Sequence, residues 1–112
     1  MEILWVDSLD DGEVREAMEE ACVDCYGQDE QWSGLFEMVG QELAFPFSAK
    51  VLGETVEVVD TEHPQFDAFG LDLVVVHKKK QYAIAAHSVE LLKPLPEGHL
   101  FLAAFLDWKA KQ

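Results

Sequence analysis

At Pro46 the spacing of the apolar residues changes from the period of a helix to the period of a strand, and this switch limits the available folds more than any other feature. Upstream, Trp32, Leu35, Phe36, Val39 and Leu43 recur at the i, i+3, i+4, i+7, i+11 spacing of one buried helix face. A helix is expected over about residues 28–43, and proline cannot continue it. Downstream, "FSAKVLG" and "ETVEVVD" read as strands around a Gly53-Glu54 turn. "LDLVVVH" and "QYAIAA" read as a hairpin with a basic tip at Lys78-Lys79-Lys80, and "HSVELL" as a short turn or strand. "PEGHLFLAAFLDWKAK" returns to helical spacing, with Phe101, Ala104, Phe105 and Trp108 inward.

An earlier helix is expected from Asp10 to Tyr26. Ser8, Asp10 and Asp11 are its N-cap candidates, and Gly27 is a natural stop. Val14, Met18, Ala21, Cys22 and Cys25 share its apolar face, while Glu13, Glu16, Glu20 and Asp24 form a stripe opposite. Gly34 and Gly40 weaken the second helix unless they permit close packing. The chain of 112 residues is read as one α+β domain over residues 1–112. It has two N-terminal helices, a small curled, barrel-like antiparallel sheet and a C-terminal helix.

Charge is the second constraint. Residues 1–42 hold 13 of the 22 Asp and Glu residues and one basic residue, Arg15, for a net of −12. The rest of the chain carries only −2. Such a field repels nucleic acid and anionic membranes and attracts cations or basic partners. No apolar run approaches the roughly 20 residues of a membrane span. The acidic N-terminus does not resemble a secretory signal, so a soluble cytoplasmic protein is expected.

Several chemistries fail on spacing. If Gly12 in "DSLDDGE" held the glycine position of an EF-hand loop, Leu9 and Met18 would occupy ligand positions. An EF-hand is therefore excluded. Cys22 and Cys25 in "CVDC" suggest a redox dithiol or half a zinc site. Yet they fall near a helix C-terminus beside acidic residues, and His63, His77, His87 and His99 have no metal-ligand spacing. No nucleophile has a recognisable catalytic context and there is no phosphate-binding loop, so no enzyme is expected.

Two carboxylate clusters remain, and the helix junction, with Asp29 and Glu30 foremost, is the leading one. At the junction of the first two helices, Asp24, Asp29 and Glu30 surround a turn whose helix-end carbonyls lack intrahelical partners. Carbonyls and carboxylates about a turn are ligands for a hard divalent cation such as Ca²⁺. The alternative there is ordinary helix-end charge placement. Asp60, Glu62 and Asp67 sit in "VVDTEHPQFDAFG", which is either a solvated loop or a second ligand set.

The succession of Val23-Asp24 with Tyr26, Glu30-Gln31, Phe45-Pro46-Phe47 with Ala49, and Asp107-Trp108 resembles the small bacterial calcium-binding protein family typified by cyanobacterial CcbP. The similarity runs over about residues 20–110. It departs from the family pattern at "YAIAAHSVELL" and in an acidic loop without cysteine. The resemblance implies an acidic protein that binds Ca²⁺ without an EF-hand, as buffer or sensor in calcium signalling, with Asp24, Asp29, Glu30, Asp60, Glu62 and Asp67 as candidate ligands. Two alternatives stay open: an acidic module docking on a basic protein partner, and a thiol redox or zinc protein using Cys22 and Cys25.

Overall fold

The computed structural model describes residues 4–112, so Glu2 of the acidic segment lies outside the described residues. Helices α1 (Leu4–Asp7), α2 (Asp11–Ala21) and α3 (Gln28–Glu42) precede strands β1 (Phe47–Val51), β2 (Glu54–Glu62), β3 (Asp72–His77), β4 (Lys80–Ala85) and β5 (Glu90–Leu91), and α4 (His99–Ala110) closes the chain. The α+β reading holds. The sheet is antiparallel throughout, in the order β4-β3-β2-β1-β5. It is open rather than barrel-closed, with β4 and β5 at its edges.

Helix α2 starts where its cap chemistry dictates: Asp10 accepts hydrogen bonds from Gly12 N at 2.8 Å and Glu13 N at 3.1 Å. It ends at Ala21, five residues before the expected Tyr26. The reason is steric. A Cβ added to Gly34 would lie 2.5 Å from the Ala21 carbonyl oxygen, so α3 crosses directly over the end of α2. The chain turns through Cys22–Asp24, with Asp24 left-handed at φ 64°. Cys25 therefore lies in the turn rather than on the helix face. Gly40 has no such neighbour; its added Cβ would meet only Thr61 Oγ1 at 3.6 Å.

The core joins the two halves of the sequence. Leu35 and Val39 of α3, Ala49, Val58, Leu73 and Val75 of the sheet, and Leu102 and Phe105 of α4 are all buried. Alternate strand positions face the helices, as period-two patterning requires. Helix α4 packs against both α2 and α3, so all of Leu102–Leu106 is buried, well beyond the single face expected. Both hairpins turn on two residues of positive φ: Leu52 and Gly53, then Lys78 and Lys79. The first turn thus lies one residue earlier than expected. Such turns match the twist of the strands they join.

Candidate metal site

Strand β2 carries a bulge between Val58 and Asp60, and this irregularity sets the site. Beyond it Asp60 pairs with Val74 and Glu62 with Asp72. Two carboxylates directly opposite on one sheet face repel each other. The segment after β2 then folds back onto the helices. Trp32 Nε1 donates to the Gly70 carbonyl at 2.9 Å, and the His63 ring packs on Trp32 with centroids 4.7 Å apart. Asp67 Oδ1 accepts from Phe69 N at 3.2 Å and pairs with Lys109 Nζ of α4 at 2.9 Å.

Glu62, Asp67 and Asp72 consequently line one cavity of about 530 Å³, bounded by Phe66, His87 and Lys109. The electrostatics are uneven. Asp72 is partly buried, and burial first, then Glu62 and Asp67, raise its pKa. Asp67 moves the other way, chiefly because Lys109 donates to it. Among the described residues, the cavity thus holds two carboxylates in no ion pair, Glu62 and Asp72, and one already paired with a lysine.

The helix junction is arranged differently. Glu30 Oε2 accepts from Tyr26 N at 3.2 Å, which ties α3 to the turn just before its Gly27 cap. Asp29 turns back over Gly27, whose added Cβ would lie 2.9 Å from Asp29 Oδ1. Asp24, Asp29 and Glu30 are exposed, and none of them lines the loop cavity. Of the six carboxylates expected from sequence, the structure brings Glu62 and Asp67 into one cavity, leaves Asp60 outside it, and keeps the junction trio separate. Asp60 instead accepts from Thr61 N at 2.8 Å. Asp72 was missed from sequence, because its place opposite Glu62 depends on the bulge and the strand register. Among the described residues, no three His, Cys, Asp or Glu side chains already converge at metal-binding geometry. The cavity supplies hard oxygen donors suited to Ca²⁺, and water or main-chain oxygens would complete its shell.

The cysteines are ordinary by comparison. Cys22 and Cys25 are free and half-buried. Burial, followed by the neighbouring Cys25, pushes the Cys22 thiol from 9.0 up to about 11. A reactive dithiol needs the opposite shift. At pH 8 the thiolate fraction of Cys22 is about a hundredfold below that of an unperturbed thiol. The greater nucleophilicity of a high-pKa thiolate returns roughly tenfold, so alkylation is expected to be about tenfold slower than for a free thiol. Mass spectrometry of timed iodoacetamide reactions reads this; labelling at the free-thiol rate would contradict it. Because the folded thiol is the weaker acid, its contribution to stability is complete below pH 9 and is lost as pH rises through about 11.

No protein-family model matches the chain, and no curated protein matches it. Among solved structures it is similar to the crystal structure of Anabaena CcbP, at 20% sequence identity and a TM-score of 0.72. The match covers 92% of this chain and 94% of that one. The order of N-terminal helices, antiparallel sheet and final buried helix is therefore a known architecture: this chain has the fold of Anabaena CcbP.

Proposed function

We propose that this chain is a non-EF-hand Ca²⁺-binding protein, a cytoplasmic buffer or sensor rather than an enzyme, with its principal site at Glu62, Asp67 and Asp72. The observation that carries the placement is Asp72, a partly buried carboxyl whose ionisation is opposed by burial and by two carboxylates in the same cavity. A bound divalent cation removes that opposition. The oxygen donors favour a hard ion, and an irregular cavity suits Ca²⁺ better than Mg²⁺, which demands octahedral geometry. The sequence resemblance and the fold shared with Anabaena CcbP support the same ion. Asp24, Asp29 and Glu30 form the secondary candidate, where Glu30 would first have to release the Tyr26 amide.

Ca²⁺ is expected to raise the melting temperature and Mg²⁺ to raise it much less. At a free Ca²⁺ concentration about 100 times the dissociation constant, the added stability is about 2.7 kcal/mol. Equal shifts from the two ions would indicate diffuse screening of the acidic half and would contradict a defined site.

A second reading has its own observation. A groove of about 380 Å³ between α2 and the start of α4 is lined by Glu13, Glu16, Glu20 and Glu97, with Leu100 and Phe101 beside them. Acidic side chains beside apolar ones suit a basic amphipathic segment. Salt-sensitive binding of a basic peptide, indifferent to Ca²⁺, would favour this reading.

A further inference from the structure

Sulfur atoms gather where α2 ends. Cys22 Sγ lies 4.0 Å from Met18 Sδ, one helical turn back along α2. Cys25 follows in the turn after the helix. The main chain fixes this spacing: Cys22 N donates to the Met18 carbonyl at 3.0 Å, and Cys25 N to the Cys22 carbonyl at 3.2 Å. Both thiols then reach across to α3. Cys25 Sγ donates to the Glu30 carbonyl at 3.4 Å and Cys22 Sγ to the Gln31 carbonyl at 3.7 Å. Consecutive carbonyls of one helix thus hold the two sulfurs side by side, as direct neighbours. Gly34 leaves the room for this, since an added Cβ there would lie 3.4 Å from Cys25 Sγ.

We propose that Met18, Cys22 and Cys25 form a site for a soft monovalent cation, copper(I). Two metal–sulfur bonds of about 2.3 Å that meet at a trigonal angle of about 120° hold their sulfurs about 4.0 Å apart. Cys22 and Met18 already stand at that separation. Donor chemistry selects the ion. Thiolate and thioether are soft ligands, which copper(I) accepts at low coordination number and which Ca²⁺ does not take. Zinc closes a structural site with four ligands, and among the described residues no third His, Cys, Asp or Glu converges with the two thiols.

On binding, two S–H bonds break and two copper–sulfur bonds form. Both protons pass to solvent, Met18 supplies a sulfur lone pair, and the metal stays in its +1 state. The Glu30 and Gln31 carbonyls lose nothing essential, because carbonyls at the start of a helix are already bonded within it. The site is open to solvent, with both cysteines half-buried and Val23 and Asp24 between them exposed. Glu19, Glu20 and Asp24 are exposed around it and draw cations toward it. None of Met18, Cys22 and Cys25 lines the carboxylate cavity, so this site stands or falls apart from the Ca²⁺ reading.

Anaerobic titration of the reduced full chain with copper(I), in competition with the chromogenic chelator bathocuproine disulfonate, tests the site. One equivalent per chain is expected to leave the chelator. X-ray absorption of the loaded protein is expected to show three sulfur neighbours at about 2.3 Å. Any close dithiol captures some copper(I), so Met18→Leu is the decisive variant. It conserves side-chain volume and is expected to weaken binding at least about tenfold, no less than the loss of an outer-shell partner costs a metal site. Cys22→Ala with Cys25→Ala is expected to abolish uptake, and circular dichroism checks that each variant folds. Met18→Leu keeps the test decisive if the double variant does not fold. A chelator that retains all its copper, a shell of only two sulfurs, or a folded Met18→Leu that binds like wild type would overturn the proposal.

Discussion

Gly98→Ala is expected to lower the unfolding free energy by about 3 kcal/mol, combining a left-handed backbone penalty with overpacking. Gly98 caps the start of α4 with φ 84°, a conformation that side chains resist. An added Cβ would also strike the Glu42 carbonyl and the Leu43 amide, which are main-chain groups unable to swing aside. Nearby, Ala44 N donates to the Glu97 carbonyl at 2.9 Å, so the end of α3 and the start of α4 are joined at this point. The loss corresponds to a fall of roughly 10–15 °C in melting temperature for a chain of this size. Gly40→Ala is the control. Its methyl meets only Thr61 Oγ1 at 3.6 Å, and alanine favours the helix. Circular dichroism melts of both variants read the contrast, and equal melting temperatures would contradict the close approach. The effect reaches the candidate site as well, because α4 supplies Phe105, Leu106 and Lys109 to the cavity wall.

Glu62→Gln combined with Asp72→Asn is expected to abolish the Ca²⁺-dependent rise in stability, a loss of about 2.7 kcal/mol at Ca²⁺ near 100 times the wild-type dissociation constant. The same double variant is expected to melt higher than wild type without cation. The sign follows from the raised pKa of Asp72. A raised carboxyl pKa gives a stability contribution that is complete below the unfolded value of 3.8 and is lost as pH climbs through the folded value. At neutral pH the ionised group therefore burdens the fold, and amides relieve that burden. Asp67 has the opposite sign: its lowered pKa stabilises the fold above 3.8 and ceases to do so as pH falls through the folded value. Asp29→Asn with Glu30→Gln removes the same charge from the same molecule and is expected to keep most of the Ca²⁺ response. Loss of the response in that pair alone would move the site to the helix junction.

Much of the architecture was legible because local chemistry and long-range packing agree. The apolar spacing around Leu35 and Val39, the Asp10 cap and the break at Pro46 each specify local structure, and each is realised. The early end of α2 was not legible. It depends on α3 crossing at Gly34, a contact between segments whose relative placement no local pattern states. The open sheet was hidden for a similar reason, since barrel closure and edge exposure give the same alternation along each strand. The candidate site shows the same division. Glu62 and Asp67 announced themselves as loop acids. Asp72 lay inside the expected strand "LDLVVVH", and only the bulge after Val58 sets it opposite Glu62. The partner of this loop residue Asp67, Lys109, lies 42 residues away on α4.

Isothermal titration of the wild-type chain with Ca²⁺, beside an identical titration with Mg²⁺, tests the central claim most directly. Saturable Ca²⁺ binding that Mg²⁺ does not reproduce, and that Glu62→Gln with Asp72→Asn removes, is the predicted result. No saturable heat with Ca²⁺, or Ca²⁺ and Mg²⁺ isotherms that coincide, would contradict it.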